Sequence, residues 1–517
     1  MGAEVSDHIS ATEIVEHVDV LVVGAGISGI AAAYALSRGP ERTFAVIDAM
    51  AGHGGTWRLH RYPGVRSDSD LFTYGFHFKP WGGAPIASGA QILDYLGEAI
   101  ADNGLASHFR YGIEMESADW DSPTKRWRIK GKHGADGTPF EMTCGFLWMC
   151  QGYYRHAQGF TPQWPGMADF KGRIVHPQTW PDDLNVAGKR VVVVGSGATA
   201  ATLVPALAGQ CAHVTMLQRS PTYFDLRENR DELADTLRTL EIDPATIHDI
   251  VRRKITYDQQ AYSRFVARHP EKARHALMRP LEDWLPKAEV EQHFAPAYMP
   301  WQQRVAVTPS ADLFRALKSG AASVITDQIE RFTPDGLVLQ SGQTLAADIV
   351  VTATGFEMTT LGDAQFRVDG RPVDVGKTRT YRACLITGLP NLARSVGYLR
   401  VSSWTLRAEL TAGFVMRLLE RMDTLGAASV EVELPDRTEL QNRNTEDDLK
   451  PFTATYMMRV LDKIPRSGPA PGWQVEDYWT EKESIPAIDV TSKPFVFRGS
   501  DGNDLGAPPA MAPVRAR

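Results

Sequence analysis

Two short glycine-rich stretches carry the chemistry most directly legible in this chain. In VVGAGISG, Gly24, Gly26 and Gly29 follow the apolar run Val20 to Val23 and precede an alanine-rich segment. Glycines so spaced between a strand and a helix permit a tight turn, close approach of the backbone to a pyrophosphate, and close helix–strand packing. The helix N-terminus then faces the phosphates. The three glycines, with Ile27 and Ser28 between them, are therefore cofactor-binding candidates. The next apolar run, Phe44 to Ile47, ends in Asp48, which can accept hydrogen bonds from a ribose. In VVVVGSGATAA the pattern recurs with Gly195, Gly197 and Ala200, and with Ser196 and Thr199 inside the loop. The strand HVTML that follows leads to Arg219 and Ser220. Asp48 and Arg219 stand at the same distance from the first glycine of their loops. A carboxylate there repels a 2′-phosphate, whereas a guanidinium pairs with it. The first loop is thus a site for FAD or NAD, and the second a site for NADP(H).

Between the loops lies FKGRIVHPQTWP, with Phe170, Gly172, His176, Trp180 and Pro181. A histidine flanked by aromatics invites an acid–base role. Metal chemistry finds little support. The four cysteines, Cys144, Cys150, Cys211 and Cys384, form no CxxC pair and no cluster with histidines. They fit thiols buried as small apolar groups in a reducing compartment. A flavin disulfide reductase needs a cysteine pair near its flavin, and GGTWRLHRYPG has none. The net charge of −7 gives no basic surplus for nucleic acid. The first residues carry four acids, no basic residue and no signal-type apolar core, and no run of about 18 apolar residues occurs anywhere. A cytoplasmic protein with no membrane span is expected.

The elements that must position these residues follow. A chain of 517 residues is too long for one core. The expected class is α/β, with two Rossmann-like dinucleotide-binding domains. Residues 1–150 are expected to form the first part of an FAD domain, including a β meander in FRYGIEMESADWDSPTKRWRIKGK. Residues 151–186 are a linker, and 187–335 the NADPH domain, with a charged helical insertion over about 225–295. Residues 336–495 return to the FAD domain, and the Gly/Pro/Ala-rich 496–517 form a disordered tail.

At this point the sequence resembles a known family. FxGxxxHxxxWP, here Phe170 to Pro181, is similar to the fingerprint of type I Baeyer–Villiger monooxygenases. Related flavin monooxygenases acting on amines usually carry Tyr or Phe at the position of Trp180. GGTWRLHRYPGVRSDSD, LQRSPTYF and DIVVTATGF also match, and the likeness spans about residues 18–495. RYPGVRSDSD, GSGATA, PWQQR and GYLRVSSWTL resemble the ethionamide-activating subgroup most closely. The resemblance implies FAD and NADPH as cofactors and O2 as co-substrate. It implies insertion of one oxygen by way of a flavin C4a-(hydro)peroxide, ketones giving esters or lactones and sulfides giving sulfoxides. The alternative is a monooxygenase limited to nitrogen and sulfur atoms. It further implies Arg304 as the active-site arginine, Asp68 as the aspartate that holds it, and Asp70 as the neighbour that could be mistaken for Asp68. Gly55, Thr56, Trp57, Tyr74, Met115, Thr354 and Gly355 are implied flavin-side contacts. Gln303 stands where a lysine often assists the 2′-phosphate, so selectivity for NADPH falls on Arg219 and Ser220. His176 is implied to support domain movement rather than acid–base chemistry.

Overall fold

The computed structural model describes residues 15–398, 401–434, 455–468, 470–474 and 476–506. Strand Glu16–Val23 pairs in parallel with Phe44–Asp48 on one side and with Pro139–Met149 on the other. Its Val20, Leu21 and Val22 have no exposed surface, as expected for a parallel strand covered on both faces. Phe44–Asp48 pairs in turn with Phe109–Tyr111. Pro139–Met149 serves two further partners along its length. Its early residues run antiparallel to Arg126–His133, which pairs with Ile113–Asp121, giving the expected meander. Its last residues take Leu392–Arg394 as a parallel neighbour.

The second sheet has five parallel strands in the order Ala322–Thr326, His213–Gln218, Arg190–Val194, Ile349–Thr352, Arg173–Val175. The fold is α/β, built on two Rossmann-like units. The strand partners place the domain limits differently from the sequence expectation. Arg173–Val175, expected in the linker, is an edge strand of the second sheet, and Ile349–Thr352, expected in the returning first domain, fills the gap beside Arg190–Val194. A parallel neighbour must arrive by a crossover, and composition alone does not say which sheet a buried apolar run joins. The expected tail also starts too early. Phe495–Arg498 pairs with Ser429–Val432 and buries Phe495 and Phe497. Residues 507–517 of that tail lie outside the described residues.

The insertion opens at strand Phe224–Arg227, which pairs with Ala306–Pro309. Between them come helices Glu232–Thr239, Pro244–Arg268, Pro270–Met278 and Lys287–His293. Asp243 caps the longest through the Ala245 and Thr246 amides, with Pro244 in its first turn. Ile247 and Val251 of that helix enter the core of the first half, whereas Leu281 and Val290 enter that of the second. The insertion therefore wedges across both halves. Its buried Arg252 donates to the Phe72 and Gly75 carbonyls and to Glu409.

Candidate active site

Each nucleotide loop forms where a buried strand meets a helix. Gly24 has φ +112°, and a Cβ there would lie 2.4 Å from the Cys150 carbonyl oxygen. Its N–H donates to Ile47 (2.8 Å), tying the loop to the neighbouring strand end. There Asp48 is buried and accepts from the Ala25 (2.6 Å) and Met50 (2.8 Å) amides. Burial pushes its carboxyl pKa up, against the pull of those two donors. Ile27 packs in the core, and the buried Ser28 hydroxyl has no partner among the described residues. Gly55 faces Gly26 so closely that a Cβ on it would lie 3.1 Å from the Gly26 Cα. Thr56 stands exposed beside it. Trp57 Nε1 donates to the Tyr74 hydroxyl (2.9 Å), the rings meeting edge to face at 5.7 Å. Met115 is in the core beneath the sheet, in the cluster that holds Val23 and Ile47, so its side chain is committed to packing.

In the second loop the Gly195 amide donates to Leu217 (2.8 Å) and Gly197 caps helix Ala198–Leu207. Ser196 donates to the Ser220 carbonyl and meets the Thr222 hydroxyl, bracing the loop against the strand end. Ala200 is fully buried, at the position glycine holds in the first loop. Arg219 and Ser220 are exposed, and Arg219 has no ion pair or hydrogen bond among the described residues. Both loops thus suit dinucleotides: each leaves helix N–H groups facing a backbone cradle, one backed by a buried carboxylate and the other by an exposed guanidinium.

Arg304 Nε donates to Asp68 Oδ2 at 2.7 Å, with the side chains 35% and 29% exposed, and the pair lies near Tyr74, the partner of Trp57. The Asp68 carboxylate pushes the guanidinium pKa further up. Its two Nη groups have no hydrogen-bond partner among the described residues. Asp70 does a different job: it caps helix Leu71–Tyr74 through the Phe72 amide (2.9 Å), and burial pushes its carboxyl up to about 7. The structure brings Asp68, not Asp70, to Arg304. Gln303 lies next to it in a turn bridged to Pro300. Tyr153 and Tyr456 are near enough to shift the Arg304 pKa. Tyr153 lies 4.2 Å from the Tyr154 ring and stacks on Trp404 at 5.9 Å, and Tyr154 lies 4.7 Å from Phe356. The sequence expectation missed this aromatic wall. Its signal is present: Tyr153 and Tyr154 follow the carboxyl end of a parallel strand, where α/β sheets bind ligands.

His176 is occupied structurally. Its Nδ1 accepts from the Gln178 amide (3.1 Å) and its Nε2 meets the Gly355 carbonyl (3.0 Å), which fixes the tautomer, and burial lowers its pKa. A Cβ on Gly159 would strike its ring, and one on Gly172 would lie 2.3 Å from the Asp348 carbonyl oxygen. Thr354 donates to Phe160 (2.5 Å) beside it, while Phe170 and Trp180 pack against the second half. The aromatic-flanked segment docks the linker on the second sheet; neither ring nitrogen is free for acid–base work.

Relatives match this sequence over nearly its full length. The FAD-containing monooxygenase EthA of Mycobacterium tuberculosis is 43% identical over 464 residues, 89% of this chain and 93% of the relative. The chain belongs to the FAD-containing monooxygenases. EthA of Mycolicibacterium smegmatis is 42% identical, with 93% of this chain and 97% of the relative covered. The probable FAD-binding monooxygenase AlmA of Acinetobacter baylyi is 40% identical over 91% of this chain and 94% of its own. The pyridine nucleotide-disulphide oxidoreductase family matches residues 18–266. All four cysteines of this monooxygenase are free, so that match reflects nucleotide-binding architecture. Among solved structures, an oxidized steroid monooxygenase bound to NADP superposes with TM-score 0.75 at 22% identity, covering 93% of this chain and 100% of that one. The OTEMO complex with FAD and NADP gives 0.74 at 19% identity, covering 93% and 99%. At such identity these confirm the fold. Among the described residues no cluster of His, Cys, Asp and Glu could hold a metal, and no helix is long and apolar enough to cross a membrane.

Proposed function

We propose that the protein is an NADPH- and O2-dependent monooxygenase of Baeyer–Villiger type, converting ketones to esters or lactones and sulfides to sulfoxides. One observation carries the proposal: Arg304 is anchored through Nε by Asp68, with both Nη groups unused among the described residues and an aromatic wall beside them. Bound FAD, reduced by NADPH, supplies the activation of O2; the protein supplies binding and electrostatics. The buried Asp48 accepts from a ribose of the flavin nucleotide, and Gly26 and Gly55 leave room for its backbone to approach. The exposed Arg219 and neighbouring Ser220 hold the 2′-phosphate of NADPH, a charge-assisted contact that favours it over NADH. Trp57 and Tyr74 fix one wall through their hydrogen bond.

Arg304 directs its two Nη groups at the oxygen on which negative charge develops as a ketone is attacked. A guanidinium keeps its charge at every working pH and offers several donors in a fixed fork. Asp68 occupies Nε only, so it aims the fork without using it. Tyr153, Tyr154 and Trp404 keep water from the reacting atoms and offer flat apolar contact to the substrate. Heteroatom-only oxidation, the runner-up, needs no oxyanion donor, so the free Nη groups favour the ketone reaction.

The test uses FAD-loaded protein with NADPH, O2 and either a cyclic ketone or an aryl sulfide, with products and NADPH consumed measured together. Ester or lactone in proportion to NADPH supports the proposal. Sulfoxide without ester supports the heteroatom-only alternative, and hydrogen peroxide alone refutes both.

A further inference from the structure

Residues 60–68 follow the first nucleotide loop in the chain, yet they are fastened to the second half. Tyr62, Pro63, Gly64 and Val65 form a type II turn: the Val65 amide donates to the Tyr62 carbonyl (3.2 Å), and Gly64 has φ +77° at the position that demands it. The tip rests on helix Ala198–Leu207, where a Cβ on Gly64 would lie 2.7 Å from the Ala206 Cβ and 3.1 Å from the Thr202 carbonyl oxygen. Tyr62 is buried in the core of the second half, its hydroxyl near the Thr199 side chain at the start of the same helix. Arg66 then makes a two-pronged contact to Asp312 of helix Asp312–Lys318, with both side chains mostly covered. The opposite edge of the segment stays tied to the first half, Ser67 N–H to the Ala87 carbonyl (2.9 Å) and Gly89 N–H to the Val65 carbonyl (2.8 Å). The next residue, Asp68, holds Arg304.

A single short strap therefore touches the helix that fronts the second nucleotide loop at one end and the partner of Arg304 at the other. We propose that Tyr62 and Arg66 are positioning residues that couple occupancy of the second nucleotide loop to the seating of Arg304, an inference that rests on the role given above to Arg304 and Asp68. A bonded strap with no slack is the kind of contiguous element through which two sites bias each other. Such coupling is reciprocal: if a nucleotide on helix Ala198–Leu207 steadies Asp68, loosening the strap weakens the nucleotide.

The experiment compares FAD-loaded Arg66→Gln, Tyr62→Phe, Arg66→Lys and Arg304→Ala with the parent. Two quantities are read: the NADP+ dissociation constant from flavin fluorescence, and the oxygenated product formed per NADPH consumed. Both are per holoenzyme, so a loss of folded protein moves neither. Arg66→Gln and Tyr62→Phe should each weaken NADP+ by about 5- to 10-fold and lower the product ratio, with Arg66→Lys restoring part of both. Adding Arg66→Gln to Arg304→Ala should lower the product ratio no further. The coupling is refuted if Arg66→Gln and Tyr62→Phe keep the parent constant and ratio while Arg304→Ala has lost product. If Arg304→Ala itself keeps full product, the role of Arg304 fails first and the coupling goes with it.

Discussion

Replacing Arg304 by alanine removes a cation that Asp68 holds through Nε and whose Nη donors have no partner among the described residues. The size of the effect follows from two contributions. Loss of one preorganised donor to a developing oxyanion typically lowers turnover by about 10² to 10³, or roughly 2.7–4 kcal/mol. The ion pair itself contributes less. Unit charges about 4 Å apart attract by about 4 kcal/mol at an effective dielectric near 20. With roughly a third of each side chain in water, the net drops toward about 1 kcal/mol, some fivefold. Arg304→Ala should therefore cost about 10² to 10³ in ketone turnover, Asp68→Asn about fivefold, and Arg304→Lys should fall between, since it keeps the charge and loses the fork. The assay is product formation under saturating NADPH with a cyclic ketone, on protein whose flavin content has been measured. Because a guanidinium keeps its charge far above pH 9 even without Asp68 beside it, none of the loss in Asp68→Asn should come from deprotonation, and its rate profile between pH 7 and 9 should parallel the parent's. An Arg304→Ala turnover within about threefold of the parent refutes the role outright. An Asp68→Asn loss as large as that of Arg304→Ala would make the aspartate a participant in the chemistry rather than an anchor.

Arg219→Gln should reduce the preference for NADPH over NADH by about 10- to 100-fold, since a charge-assisted contact contributes about 1.5–3 kcal/mol; the ratio of kcat/KM for the two nucleotides measures it. Gly29→Ala would place a Cβ 1.8 Å from the Gly24 carbonyl oxygen, so the purified variant should lose most of its bound flavin absorbance while the second half still binds NADP+. His60 is buried against Phe356, its Nδ1 without a partner among the described residues, and burial holds its pKa near 4. The unfolded chain takes up a proton below about 6.5 that the folded protein refuses. Stability is thus lost as pH falls from about 6.5 toward 4, by up to about 1.4 kcal/mol per pH unit. His60→Phe keeps an aromatic against Phe356 and should remove that slope, which denaturant midpoints at pH 5.0 and 7.5 would reveal.

The two nucleotide loops were legible because their demands are local. Gly24 and Gly195 both need a positive φ at a strand end, and Asp48 and Arg219 mark those ends by charge. The sheet to which Ile349–Thr352 belongs was not legible. A short run of buried valines suits either sheet, and only the free edge beside Arg190–Val194 decides. The insertion was recognisable as helical from its periodicity, but not as a wedge between the halves, because Ile247 and Leu281 look alike in sequence and face different cores.

The Arg304–Asp68 pair was legible through family resemblance and not through its own pattern, for a physical reason. Arg304 and Asp68 are 236 residues apart and meet only because Asp68 rides on a segment clamped at Gly64 and Arg66 to the second half. The local code for that clamp is a Pro-Gly turn, which reads from sequence as an exposed loop. Glycine there serves two needs at once: a positive φ and contact with the Ala206 side chain. Turn chemistry alone predicts only the first. A residue that satisfies a backbone requirement and a packing requirement together is where single-sequence reasoning loses sight of function. In this monooxygenase such a residue lies four positions before the aspartate that aims Arg304.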